Sequence, residues 1–277
     1  MLAPKFVFKK TGAQSCRPIR EMADAAKPKM DFRTMFFFAM TLSLCLNTVV
    51  CFIGSLGLPF VKAFTLVTYR AALMSASVAF LYRIAYSLKP PASMMSIAGW
   101  RASLAPVLNS NGAHYVIYSI VFAMGRPVPT VLFPLTICGG YQLLTIANKH
   151  FPATLKRVRG DRLFALAQQE MHRMMAMCAT MECSMLPLLM MELFTPARSV
   201  TRVFLYVNYL RRRYACKDDT VFRIKYTYGN AGQFHQQVWG MLDQKTSPIL
   251  RRVPGIDKVL GPLKMWFTQG AAPMKTQ

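Results

Sequence analysis

Residues 101–149 decide the fold, and they read RASLAPVLNSNGAHYVIYSIVFAMGRPVPTVLFPLTICGGYQLLTIANK. Between Arg101 and Lys149 the only fully charged residue is Arg126, which separates uncharged stretches of 24 and 22 residues. A helix of about 20 apolar residues is long enough to cross the roughly 30 Å of hydrocarbon in a bilayer. Gly125 and Pro127 flank Arg126, and helix breakers beside a charge are typical of a turn at a membrane surface. The stretch therefore predicts two membrane spans joined by a short turn.

The composition of the whole chain also indicates a membrane protein. Its 277 residues are 53% hydrophobic and only 16% charged, whereas about a quarter of the residues of a soluble domain carry a charge. The net charge is nevertheless +23, and such an excess of Lys and Arg suits anionic lipid head groups, acidic partners or nucleic acid. The seven cysteines are scattered and form no CxxC pair, so neither a disulfide framework nor a zinc site is indicated.

Apolar runs before this stretch predict two further spans. The first run begins at Thr34 and ends near Pro59, and the second is stopped by Lys89 and the two prolines that follow it. Small residues fill the middle of the second run, where they let helices approach closely in lipid. The sequence therefore predicts a transmembrane region of residues 34–148, with four spans at about 35–58, 64–88, 102–124 and 128–148.

A fifth apolar run, residues 174–197, is a poorer span because it contains Glu182, Pro187 and Glu192. A carboxyl group near the bilayer centre costs about 3 kcal/mol on insertion scales. We therefore interpret the run as a re-entrant or interfacial segment. The predicted fold is an all-α multi-pass membrane protein, a four-helix transmembrane bundle with this additional embedded segment and amphipathic basic C-terminal helices.

The distribution of Lys and Arg predicts the topology, because cytosolic loops carry the excess of basic residues. Four spans with both termini in the cytosol place every strongly basic segment on the cytosolic side. These segments are the N-terminal tail 1–33, the loop 89–101, the loop 149–173 and the tail 198–277. The N-terminal tail, with eight Lys/Arg against three acidic residues, is also typical of a mitochondrial presequence, which leaves that alternative open.

Two segments of the C-terminal tail have an amphipathic helical pattern. In residues 199–214 apolar side chains recur at helical spacing, and in residues 256–267 the apolar stripe includes Trp266 and Phe267. A basic helix with such a face is built to lie in the head-group plane, although both stripes could instead pack on the protein's own bundle. The predicted membrane-surface residues are Arg251, Arg252, Ile256, Lys258, Val259, Leu263, Lys264, Trp266 and Phe267.

The basic cluster Arg211, Arg212 and Arg213 is a candidate contact for anionic lipid or a protein partner. No aromatic-basic binding module surrounds it, so nucleic acid is not predicted as a partner. Arg70 and the two carboxylates of residues 174–197 could alternatively mark an ion path of a channel or transporter. A structural Arg–Glu pair, or an arginine side chain that extends to water, is the interpretation we favour.

Catalytic motifs and metal-binding motifs are missing from the sequence. The four histidines have no HxxxH or HExxH spacing, and we interpret His114 as a hydrogen-bonded helix residue. No GxSxG, Walker or GxGxxG motif occurs either. The sequence therefore predicts no catalytic residue, no metal ligand and no cofactor.

The predicted spans 102–124 and 128–148 form a hairpin that contains HYVIYSIVF at 114–122, followed by Pro127-Val128 and Phe133-Pro134. This pattern resembles the signature of the transmembrane protein 33 family, also called the Krueppel homologue 2 group, which includes nuclear pore-membrane relatives. Weaker similarities are the Tyr69–Leu73 segment, Glu182 with the Leu-Pro pair that follows it, and the block from Tyr206 to Tyr214. The resemblance covers roughly residues 65–225. Its signature residues are His114, Tyr115, Tyr118, Ser119, Phe122, Pro127, Phe133 and Pro134.

The resemblance implies a non-enzymatic, multi-pass protein of the endoplasmic reticulum and nuclear envelope. Members of that family help organise the tubular reticulum with reticulon-type proteins, and its pore-membrane members help distribute nuclear pore complexes. Reticulon-type or nucleoporin partners are therefore expected. The basic N-terminus and the segment beyond about residue 245 depart from the family pattern. An accessory subunit of a mitochondrial membrane complex and, below it, a channel or transporter are the alternative functions.

Overall fold

Helices form all the regular structure in the part of the chain that the computed structural model describes. That part comprises residues 30–57, 64–88, 95–108, 110–196, 198–215 and 231–250, with the single positions 261, 262 and 265. The helices are α1 (Phe32–Ser55), α2 (Thr65–Ser87), α3 (Ile97–Leu108), α4 (Asn111–Ala123), α5 (Leu132–His150), α6 (Pro152–Arg157), α7 (Gly160–Gln169), α8 (Met171–Glu192), α9 (Val200–Ala215) and α10 (Ala231–Leu250), with a 3-10 turn, Pro129–Val131, before α5.

Four of the described helices are long and apolar enough to cross a membrane. The candidate spans are Phe32–Ser55, Thr65–Tyr86, Pro129–His150 and Met171–Glu192. The all-helical class with four candidate spans confirms the all-α multi-pass fold expected from the sequence, while the amphipathic basic C-terminal helices stay a prediction. The side of the membrane on which each terminus lies stays a prediction.

The third and fifth apolar runs differ in form from what the charge pattern suggests. Over residues 102–124 the chain forms two helices, because Ser110 starts a new helix at α4 by accepting a hydrogen bond from the Ala113 amide at 3.3 Å. Helix α4 has only 13 residues, fewer than a span requires, and most of them are buried in protein. By contrast, α8 runs unbroken for 22 residues with Pro187 inside it. The fifth run thus has the length of a span, and the third does not.

Helix α1 buries its more polar face. Its buried residues recur every three or four positions and include Thr41, Thr48 and Gly54. The opposite face carries exposed Leu46 and Val49. In lipid this arrangement is favourable, since helices associate through small and polar residues while apolar side chains face the hydrocarbon. On the buried side, α1 packs against α2 and α5.

The contact between α1 and α5 depends on one glycine of the Gly139-Gly140 pair. A Cβ atom on Gly139 would lie 2.8 Å from Cδ2 of the fully buried Leu44, whereas one on Gly140 would meet only Cys45 Sγ at 3.9 Å. Thr136 also donates a hydrogen bond across this interface to Thr48 Oγ1 at 3.0 Å. A side chain at position 139 would therefore have to displace Leu44, whereas one at position 140 would not.

We expect Gly139→Leu to destabilise the protein by about 1–3 kcal/mol, the usual cost of overpacking a tight interface. Gly140→Leu is the matched control, because it has the same change of volume and helix propensity at the neighbouring position. Thermal unfolding of the detergent-purified protein, followed by tryptophan fluorescence, measures both. Adding Leu44→Ala to Gly139→Leu should recover part of the loss, and equal loss in the two leucine variants would contradict the assignment.

The helices after α5 pack onto the first half of the described chain through α5 and α4. Helix α5 connects the two halves, since it contacts α1 on one side and α8 on the other. Helix α9 packs against α4, α8 and α10, and α10 also lies along α8. Helices α4, α8, α9 and α10 thereby enclose a polar interior, which is the candidate site.

Candidate functional site

A buried cluster of polar side chains lies where α4, α8, α9 and α10 meet. At its centre are Glu182 of α8, which is 0% exposed, and Arg213 of α9, which is 2% exposed. We call the set the Glu182 cluster; its members are Asn111, Tyr115, Glu182, Tyr209, Arg213 and His235.

Arg213 and Glu182 form a two-point ion pair. Arg213 Nε donates to Glu182 Oε2 at 3.1 Å, and Nη2 approaches Oε1 at 3.3 Å. The guanidinium also bonds beyond Glu182, because Nη1 donates to Asn111 Oδ1 and Nη2 donates to the Tyr115 hydroxyl at 3.0 Å. A parallel pair of N–H donors on a carboxylate is the strong form of this interaction.

Tyrosine hydroxyls complete the surroundings of Glu182. Tyr209 donates to Oε2 at 2.6 Å and Tyr115 donates to Oε1 at 3.2 Å. Tyr206 donates to the backbone carbonyl of the same glutamate at 2.5 Å. Tyr115 also accepts a contact from the Cys138 thiol at 3.3 Å, which ties α5 to the cluster. A buried carboxylate is tolerated only when its oxygens are satisfied in this way.

His235 brings α10 into the cluster. Its Nε2 lies 3.0 Å from Glu182 Oε2, and its Nδ1 lies 3.7 Å from Cys183 Sγ. Burial of the imidazole lowers the pKa of His235 below its ordinary value, so the ring is neutral at physiological pH. Arg213 is therefore the cation that balances Glu182.

Aromatic rings pack around the ion pair and exclude water from it. The Tyr118 ring lies 5.2 Å from the Tyr209 ring, and the Phe122 ring lies 5.2 Å from that of Tyr206. All four rings are buried. In such surroundings the effective dielectric constant is low, so the pairing of Glu182 with Arg213 is strong and the loss of either partner is costly.

Tyr115 is the one signature residue of the hairpin that belongs to the Glu182 cluster, and Tyr118 and Phe122 pack around that cluster. The signature residues of α4 point into the protein, and the turn residue Pro127 is exposed. Phe133 at the start of α5 is half-buried and Pro134 is buried. The five buried signature residues of α4 are His114, Tyr115, Tyr118, Ser119 and Phe122.

The surroundings of His114 differ from those expected from the sequence. His114 is 1% exposed, yet neither ring nitrogen has a hydrogen-bond partner among the described residues, so the expected hydrogen-bonded histidine is not found there. Within the described ranges, no group of three or more His, Cys, Asp or Glu residues could hold a metal ion.

The buried face of helix α9 includes only Leu210 of the apolar stripe expected in residues 199–214. Its buried positions are Arg202, Tyr206, Tyr209, Leu210 and Arg213, which recur along one side of the helix. The stripe residues Val200 and Phe204 are instead 70% and 64% exposed. Exposed apolar side chains are unfavourable in water but favourable against lipid, which explains why the polar face is the inner one.

The basic cluster of residues 211–213 divides between surface and interior. Arg212 is exposed, Arg211 is half-buried and Arg213 is buried in its pair with Glu182. Arg213 is therefore part of the interior and not of a lipid-contact surface, whereas Arg212 stays a candidate for such a contact. The predicted membrane-surface helix, residues 251–267, lies outside the described residues apart from positions 261, 262 and 265.

A signal for the buried face of α9 was present in the sequence. Arg202, Tyr206, Tyr209 and Arg213 are spaced by four, three and four residues, which places them on one helix face. A stripe of arginines and tyrosines beside a membrane span indicates a buried carboxylate partner. For Asn111 and His235 we find no comparable signal, since each is isolated in the sequence.

These features define a class: an all-helical membrane protein with four candidate spans and an interior organised by a buried Glu–Arg pair. The family model described as Transmembrane protein 33/Nucleoporin POM33 matches residues 22–228. This chain belongs to that family, as the resemblance of its hairpin motif implied. The match includes every member of the Glu182 cluster except His235.

A similar curated protein is human Transmembrane protein 33, which is 27% identical over 124 residues. The matched stretch is 42% of this chain and 48% of the human protein, so the chain spans about half the length of that relative. No solved structure matches the chain.

Proposed function

We propose that this protein is a non-enzymatic component of the endoplasmic reticulum and nuclear envelope. It organises membrane shape, as a tubular network, or the distribution of nuclear pore complexes, and it acts by inserting helical hairpins and recruiting partners. The observation that carries the proposal is the family match over residues 22–228, which coincides with the four candidate spans.

The geometry of the bundle supports a physical mechanism. Helices α1 and α2 form a hairpin whose outer surface is apolar, with Leu46 58% exposed and Val67 63% exposed. Such a hairpin takes up area in the bilayer, and the basic C-terminal helix would add area to the cytosolic leaflet alone. Unequal expansion of the two leaflets favours curved membrane.

In this proposal the basic segments recruit the partners. Anionic lipid head groups are attracted by roughly 1 kcal/mol for each Lys or Arg near the surface. Exposed Arg212 at the end of α9 and the sequence after residue 250 are the candidate contacts. Reticulon-type proteins or nucleoporins are the protein partners that the family resemblance favours.

The alternative of an ion path has less support. Glu182 is paired with Arg213, and the second carboxylate of the same helix, Glu192, is paired with Arg202 at 3.0 Å. Both intramembrane carboxylates thus have the structural arginine partners that we favoured from the sequence.

Localisation of the full-length protein tests the proposal first. We expect a small C-terminal tag to label a reticular network and the nuclear rim when compared with reticulum, nuclear-pore and mitochondrial markers. Mitochondrial labelling, together with removal of the first 20 to 30 residues at the mature N-terminus, would overturn it in favour of the mitochondrial alternative.

A further inference from the structure

A pocket of about 460 Å³ opens at one end of the bundle, away from the Glu182 cluster. It lies between the first turns of α2, the turn after α4, the end of α8 and the start of α9. Because α2 and α8 are candidate spans, their ends lie at the depth of the lipid head groups. The pocket is thus placed where a membrane meets water.

Arg202 lines this pocket, and its guanidinium is buried and paired with Glu192. Its side chain is 4% exposed, and Nη1 donates to Glu192 Oε1 at 3.0 Å. The group lies 5.5 Å from the centre of the Phe122 ring. A Cβ atom on Gly125 would lie 1.9 Å from Nη1, so glycine at the turn is what makes room for the arginine.

Two of the three guanidinium nitrogens of Arg202 are not used in the pair with Glu192. Neither Nε nor Nη2 has a hydrogen-bond acceptor in the described ranges, although both are buried. A buried, charged donor without an acceptor is costly, so this side chain is suited to an anion with two oxygens. Arginine is the residue that best matches phosphate oxygens, because its N–H groups are arranged as a planar fork.

The remaining lining supplies further positive potential. Arg70 and Arg126 are exposed at the rim, so three guanidiniums stand against the single carboxylate of Glu192. Ser199 also lines the pocket, and its hydroxyl accepts a hydrogen bond from the Arg202 amide at 3.3 Å. This contact lies at the N-terminus of α9, a 16-residue helix, where the helix dipole favours an anion.

The rim has an apolar side as well. Leu66 and Met124 line the pocket and are 41% and 60% exposed. A molecule with a phosphate group and a hydrocarbon part would therefore meet arginines at one end and apolar side chains at the other. We propose that this pocket binds a phosphate monoester, held by Arg202 with Arg70 and Arg126. The inference does not depend on the proposed role in membrane shape.

Titration of the detergent-purified, full-length protein tests the proposal. The probes are dioleoyl phosphatidic acid, dioleoyl phosphatidylcholine and glycerol 3-phosphate, and the readout is the shift of the unfolding temperature with probe concentration. We expect stabilisation by phosphatidic acid at concentrations where phosphatidylcholine has no effect. If glycerol 3-phosphate binds equally well, the ligand is a soluble phosphate; if it does not, the ligand is a lipid.

Three variants locate the binding. Arg70→Gln and Arg126→Gln are changes of exposed residues, and each should weaken binding about tenfold through loss of a charge-assisted contact. Gly125→Ala displaces the Arg202 guanidinium and should have a similar effect. Arg198→Gln is the matched control, since Arg198 is exposed near the same end of the bundle but outside the pocket. Equal weakening by the control, or no preference for phosphatidic acid, would overturn the proposal.

Discussion

Replacing Arg213 with methionine is expected to lower the free energy of unfolding by about 3–5 kcal/mol, the usual cost of removing one partner of a buried ion pair. Methionine has a similar length and fills most of the same space, so the loss reflects charge more than volume. The carboxylate of Glu182, which is 0% exposed, would be left without a cation. Tyr115 and Asn111 would lose their arginine partner as well.

The measurement is the unfolding of detergent-purified protein, compared with Arg212→Met. This control removes the same charge from the neighbouring exposed position, and we expect a change within about 0.5 kcal/mol. The double variant Glu182→Gln with Arg213→Met removes both charges and should recover much of the stability. If Arg213→Met and Arg212→Met were equally stable, the ion pair would not hold these helices together.

The number of candidate spans and the position of three of them could be predicted from the lengths of the uncharged stretches, but Met171–Glu192 took the place of the span expected at 102–124. Counting charges treats Asn109 and Ser110 as neutral and so extends one span through them. Asn and Ser side chains in general compete with the helix backbone for hydrogen bonds, and Ser110 caps α4 in this way. The same count argues against α8 as a span because this helix contains Glu182. The charge of Glu182 is, however, balanced by Arg213, which lies 31 residues further along the chain.

The orientation of α9 shows why the interior was harder to predict than the helices. An apolar stripe predicts the buried face of a helix when water surrounds the protein. When lipid surrounds it, apolar side chains such as Phe204 are equally stable outside, and hydrogen bonding decides which face is inside. The four-residue stripe from Arg202 to Arg213 carries that information, and its two arginines each find a glutamate of α8.

The second large effect is expected on the binding of the C-terminal segment to lipid. We expect Leu263→Glu with Trp266→Glu to weaken the binding of a purified tail, residues 245–277, to anionic liposomes by at least about 100-fold. Burial of each large apolar side chain contributes about 1.5–3 kcal/mol, and each added carboxylate also meets a negative surface at a cost of about 1 kcal/mol. Co-sedimentation with liposomes that contain phosphatidylserine measures the change.

A matched control separates the loss of apolar contact from the added charge. Thr268→Glu with Gln269→Glu adds the same two carboxylates at positions off the apolar stripe and keeps Leu263 and Trp266. Insertion of the stripe predicts that this variant binds far better than the first, with a loss of about 30-fold from repulsion by the two carboxylates. Equal loss in the two variants would mean that Lys and Arg alone hold the tail at the surface. In that case the tail would recruit anionic lipid without expanding the leaflet, and membrane curvature would have to arise from the helical hairpins.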